Sequence, residues 1–198
     1  MKIAGIGWHK TGTTTLGHCM REFGFDHRSW EPGDFELWRN GDLKQLMDIA
    51  ANHESCDDFP WPFLFRELDE RFPGTKFILT LRKDPETWLG SICKHAARTG
   101  PLEYREWVYG RAMPHDDPER FLHAYNGHNE AVRDHFRNRP GDLLEVCWES
   151  GHGWPELAGF LGRDMPARAF PHANRSPVGQ REAGALPVEG RKEQGSSS

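Results

Sequence analysis

Apolar positions along this chain alternate between short continuous runs and longer stretches where they recur every three or four residues. Lys2 to Ile6 is the first run and reads as a short buried strand. Gly7 to Gly12 is a glycine-punctuated turn, and Thr13 to Phe23 follows at helical spacing up to Gly24. Ser29 to Gly33 is a loop, and two short helices are predicted over Asp34–Arg39 and Leu43–Asn52. His53 to Cys56 is a second short strand, followed by Asp57-Asp58-Phe59-Pro60-Trp61-Pro62, where two prolines in three residues predict a loop. Phe63 to Phe72 is helical in spacing and is stopped by Pro73-Gly74.

Lys76 to Arg82 is the clearest later strand, and its near-continuous apolar run predicts a central strand covered on both faces. Asp84 and Pro85 then form a helix start, with Asp84 as N-cap, and the helix runs to about Ala97. Pro101 to Gly110 reads as a helical lobe, Pro118 to Asn138 as a long amphipathic helix, Asp142 to Cys147 as another apolar strand, and Trp154 to Leu161 as a short helix. Strands alternating with helices predict a three-layer α/β domain over residues 1–175, with a central parallel sheet flanked by helices. The polar, Gly/Pro-rich stretch 176–198 is expected to be disordered. Ligands of such sheets bind beyond the carboxyl ends of the strands. That rule brings together the turn after Ile6, the Asp57-Asp58 corner and the segment from Arg82 to Ser91.

The chain has 198 residues and a formal charge of −5, so it offers no basic field for nucleic acid. Its four cysteines, Cys19, Cys56, Cys93 and Cys147, are widely spaced and suggest free thiols in a reducing compartment. No apolar run approaches a membrane span, and the first residues read as a core strand rather than a signal peptide, so a cytoplasmic location without membrane attachment is expected. His123, His128 and His135 share a predicted helix without chelating spacing, and no metal is expected.

Candidate chemistry concentrates in the first turn. A strand, a glycine turn and a helix N-terminus make an anion cradle, because the first-turn amides are unpaired and the helix dipole favours negative charge there. Lys10 adds a cation, and Thr11, Thr13, Thr14 and Thr15 add hydroxyl donors. The NTPase loop G-x-x-x-x-G-K-[ST] places its lysine after the second glycine. Here Gly7 and Gly12 have that separation, but Thr13 stands in the lysine position and Lys10 comes two residues before Gly12. That order argues against a Mg·ATP hydrolase; a P-loop small-molecule kinase and a non-catalytic nucleotide-binding protein remain alternatives.

The pattern Lys10-Thr11-Gly12-Thr13-Thr14-x-Leu16 resembles the 5′-phosphosulfate loop of sulfotransferases that use 3′-phosphoadenosine 5′-phosphosulfate (PAPS). The stretch from Leu81-Arg82 through Asp84-Pro85 to Ser91 is similar to the family's 3′-phosphate site, with Lys83 as an extra residue that could share the anion. Gly153-Trp154-x-x-Leu157-x-x-Phe160-Leu161-Gly162 and Phe170-Pro171-His172-x-Asn174 resemble the closing segment of short-chain members. The resemblance implies a P-loop-like fold, PAPS as donor and a small-molecule hydroxyl or amine as acceptor. It implies cofactor contacts from His9, Lys10, Thr11, Gly12, Thr13, Thr14, Thr15, Arg82 and Ser91, with Lys10 and Asp58 as catalytic residues. Asp58 falls where many members carry a catalytic His or Glu, and Asp57 or His9 is the alternative base. Trp30, Trp38, Trp61, Trp107 and Phe121 are candidates for an apolar acceptor pocket.

Overall fold

A computed structural model describes residues 2–171. Five short strands, β1 (Ile3–Gly5), β2 (His27–Arg28), β3 (Ser55–Cys56), β4 (Lys76–Thr80) and β5 (Leu143–Val146), form one sheet in the order β2-β3-β1-β4-β5. Every pairing is parallel, with Ile3 opposite both Ser55 and Lys76, and Phe77 opposite Leu143. The helices are α1 (Thr13–Glu22), α2 (Pro32–Arg39), α3 (Leu43–Ala51), α4 (Phe65–Arg71), α5 (Pro85–Thr99), α6 (Glu103–Tyr109), α7 (Pro118–Phe136) and α8 (Trp154–Leu161).

Side-chain alternation in the central strands explains the three layers. Ile3, Ile78 and Val146 point to one face and pack with Leu16 and Met20 of α1 and Leu157 and Leu161 of α8. Ala4, Phe77 and Leu79 point to the other and pack with Leu46 of α3, Leu68 of α4 and Val132 and Phe136 of α7. Both faces are therefore dry, as the unbroken apolar runs predict. A third cluster, built from Trp8, Phe35, Phe59, Trp88, Tyr109, Phe121 and Tyr125, includes residues that immediately follow the carboxyl ends of β1 and β3.

Three expectations change. β2 is an additional strand. Its two residues are half-buried, and the Asp26 carbonyl before it accepts the amides of Glu54 and Ser55, so pairing rather than apolar pattern defines it. A 3-10 turn over Trp61–Leu64 continues through the proline-rich segment, after a cis Phe59–Pro60 bond. Pro62 falls in its first turn, where a missing amide proton costs nothing. Helix α5 reaches Thr99 and stops at Gly100, whose φ is +68°. Its start is as predicted: the Asp84 carboxylate accepts the Thr87 amide at 2.6 Å. The tail and the residues His172 and Asn174 lie outside the described residues.

β1 sits between β3 and β4: the chain runs from β1 outward to β2, returns through β3, and then crosses to β4 on the other side of β1. That is the switch point at which parallel sheets open a crevice.

Candidate active site

The loop after β1 is shaped by two glycines that no other residue could replace without displacement. A Cβ at Gly7 would lie 1.9 Å from the Thr80 hydroxyl oxygen, and one at Gly12 would lie 2.4 Å from the Trp148 indole. Gly12, at φ +100°, is the N-cap of α1 and supplies no side chain to cap it. Helices α3, α5 and α7 are each capped by an aspartate, Asp42, Asp84 and Asp117. An aspartate in the same place on α1 would put a negative charge where the loop collects positive potential. Lys10 holds a left-handed backbone, φ 65°, which is costly for a side chain with a Cβ. Thr11 is buried, and its hydroxyl pairs with the Trp8 carbonyl and, at 2.6 Å, with the Thr80 hydroxyl, so its role is to fasten the loop to β4. Thr14 is exposed, whereas Thr13 and Thr15 are buried.

Asp58 lies at the end of β3 and faces the loop. Its Oδ2 accepts the Thr13 hydroxyl at 3.0 Å, and its Oδ1 accepts the Phe59 amide at 2.9 Å. Burial and the neighbouring Asp57 carboxylate push its pKa up to about 6, against the pull of those two donors and Lys10. Asp57 points elsewhere. It is fully buried, its Oδ1 accepts the Ser29 hydroxyl at 2.7 Å, and it lies 3.2 Å from His27.

His9 stacks on Phe59, with ring centroids 4.7 Å apart, and meets the Tyr109 hydroxyl at its Nε2 edge. Tyr109 accepts the Trp8 indole proton at 2.7 Å. The arrangement that leaves no buried proton unpaired has Tyr109 donating to His9 Nε2, with the Nδ1 proton directed at the Tyr104 hydroxyl 3.4 Å away. Burial, then Lys10, holds the His9 pKa well below the ordinary histidine range, so the ring is neutral.

On the far side, Arg82 forks onto Glu149: Nε donates to Oε2 at 2.9 Å and Nη2 to Oε1 at 2.6 Å. Its Nη1 donates to the Lys10 carbonyl at 3.1 Å. Ser91 lies on α5, and Lys94, His95 and Arg98 continue the same helix face. Lys83 is exposed and lies outside the cavity wall, and its amide donates to Glu149 at 3.2 Å.

These segments enclose one cavity of about 1390 Å³. Its wall contains every predicted site residue: His9, Lys10, Thr11, Gly12, Thr13, Thr14, Thr15, Asp58, Arg82 and Ser91. Of the five aromatic candidates for the acceptor pocket, Trp30 alone lines it. Trp61 and Phe121 are core, Trp38 stacks on Phe63 at 4.4 Å, and Trp107 is 54% exposed under Arg39. Besides Trp30, the apolar and aromatic side chains on the wall are Phe59, Leu81, Leu102, Tyr104 and Trp148.

A family model described as a sulfotransferase domain matches the chain over residues 2–109 and 100–177. The chain belongs to the sulfotransferase family. It is also 25% identical, over 215 positions, to the Ava biosynthesis cluster protein M of Aspergillus versicolor, with 87% of this chain and 80% of that protein covered. The family makes this sulfotransferase a transferase of sulfuryl groups. The wall residues that sequence reasoning missed are Lys94, His95, Arg98, Tyr104, Trp148 and Glu149. Lys94 and His95 had a signal, since they follow Ser91 by three and four positions on a predicted helix; Arg98 lies one residue past the predicted end at Ala97, and Tyr104, Trp148 and Glu149 had none.

Proposed function

We propose that this sulfotransferase transfers a sulfuryl group from PAPS to a hydroxyl or amine of a small-molecule acceptor. The observation that carries the proposal is the placement of an uncapped helix start, Lys10 and Asp58 on one cavity wall. The wall suits a polyanionic nucleotide: it carries Lys10, Arg82, Lys94 and Arg98 against the carboxylates of Asp58 and Glu149, and Glu149 is already matched to Arg82.

In the transfer, a bond forms between the acceptor atom and sulfur as the bond from sulfur to the 5′-phosphate oxygen breaks. Lys10 and the first-turn amides of α1 offset the charge that develops on the leaving phosphate. Asp58, with a pKa near neutrality, takes the acceptor's proton. Thr13 holds one carboxylate oxygen and the Phe59 amide the other, and each oxygen keeps a lone pair with which to accept a proton. Arg82 and Ser91 bind the 3′-phosphate, and Trp30, Phe59, Leu102 and Tyr104 form the acceptor side of the cavity.

Calorimetric titration tests the donor assignment. 3′-Phosphoadenosine 5′-phosphate (PAP), the spent donor, should bind at least ~10-fold more tightly than adenosine 5′-phosphate, about 1.4 kcal/mol for the extra phosphate. Equal affinities would reject it. Lys10→Ala should reduce turnover far more than PAP affinity, because its charge matters most as the leaving group forms.

A further inference from the structure

Glu149 is one of two carboxylates on the cavity wall, and unlike Asp58 it is paired with a guanidinium. It sits in the 3-10 turn Trp148–Ser150 that directly follows β5. Its two oxygens take the side-on pair of Arg82 protons, and Oε2 also takes the Lys83 amide. The Arg82 guanidinium holds the Glu149 carboxyl below its ordinary pKa, so it stays ionised. The remaining arm of Arg82 reaches the Lys10 carbonyl. Of the five protons a guanidinium carries, these contacts use three and leave one on each terminal nitrogen. The preceding residue of the same turn, Trp148, donates its indole proton to the Gly12 carbonyl at 3.2 Å. One turn therefore grips the loop at two points, Lys10 through Arg82 and Gly12 directly. Lys10 is one of two non-glycine residues with positive φ among the described residues, a conformation that persists where surrounding contacts over-determine it.

We propose that Glu149 is a positioning residue. It fastens Arg82 side-on, so that Arg82 pins the Lys10 carbonyl and with it the left-handed turn that presents the Lys10 amine to the cavity. The two unspent Arg82 protons then face the donor as a fixed pair. The second part rests on the PAPS reading above; the first does not.

Two measurements separate them. In the ligand-free protein, Glu149→Gln should raise hydrogen exchange of the loop amide of Thr11, which donates to the Trp8 carbonyl, by ~10-fold or more, the loss of a charge-assisted bond, while β4 stays protected. Glu149→Asp, which keeps the charge at shorter reach, should restore part of the protection; a merely structural side chain would show no such rescue. In titrations with PAP, Glu149→Gln should weaken binding by ~10-fold, and combining it with Arg82→Gln should cost little beyond Arg82→Gln alone, since both act through one guanidinium. Unchanged loop exchange in Glu149→Gln overturns the positioning role. Equal or tighter PAP binding in that variant overturns the donor part and makes Glu149 a competitor for the anion site. Failure of the wild type to bind PAP removes the donor reading, and loop exchange still decides the rest.

Discussion

In the transfer we propose, Asp58 is a feeble base made serviceable by its surroundings. An aspartate in water ionises near ~3.9 and would barely attract a hydroxyl proton at neutrality. Here burial and Asp57 lift its pKa to about 6. Turnover should therefore show an acidic limb near that pH. In Asp58→Asn the limb should vanish and turnover fall by roughly 10²–10⁴-fold, the usual contribution of a general base. A limb that persists would give the role to another group, although His9, with both ring nitrogens facing tyrosines and its pKa depressed, does not titrate near neutrality. Stability has the opposite sign. A carboxyl that holds its proton more tightly folded than unfolded loses stability as pH rises between the two pKa values. Asp58→Asn should thus melt a few degrees above wild type at pH 8, with the gap closing below pH 4, as thermal scans at both values would show. Lys10-Thr11-Gly12 and Asp58 were legible because their chemistry sits in contiguous local patterns. What separates Asp57 from Asp58 was not legible: Asp58 takes a left-handed backbone, φ 62°, just past β3, which turns its carboxylate to Thr13 while that of Asp57 goes to the Ser29 hydroxyl.

Helix α5 carries the second wall. Trp88, Ile92 and Ala96 bury one stripe, and Ser91, Lys94 and Arg98 turn the opposite stripe to the cavity. Burial lowers the Lys10 pKa, and Arg98 is the next cause, opposed by Asp58. Removing Arg98 should let the Lys10 pKa rise. In Arg98→Ala the alkaline limb of the pH–rate profile should move to higher pH; a limb that stays put would separate Arg98 from Lys10. β1 and β4 were legible as unbroken apolar runs, the start of α5 from the cap chemistry of Asp84 and Pro85, and α7 from its amphipathic spacing. β2 was not, since His27 and Arg28 present no apolar face and exist as a strand through bonds to β3. Glu149 and Trp148 were invisible for a related reason. Their partners lie 67 and 136 residues away in sequence, and nothing local marks a turn as the closure of a distant loop.

Across the molecule, the sheet order decides where charge can gather. The chain carries −5 overall, yet its cavity wall brings together four Lys and Arg side chains, with two carboxylates among them. A donor nucleotide that binds only the folded state should stabilise it by about 2.7 kcal/mol at a hundredfold excess over Kd. A scan with PAP should show the rise, and sodium sulfate at equal ionic strength should not match it. The membership of β5 in this sheet has a consequence for synthesis. The cradle of Lys10 and Gly12 leaves the ribosome well before the turn that grips it, which follows a strand, Leu143–Val146, whose neighbour is β4. Until that strand docks, a nascent chain has the loop without its clasp. Nucleotide retention by chains arrested at successive lengths would then report completion of the sheet, not translation of the motif.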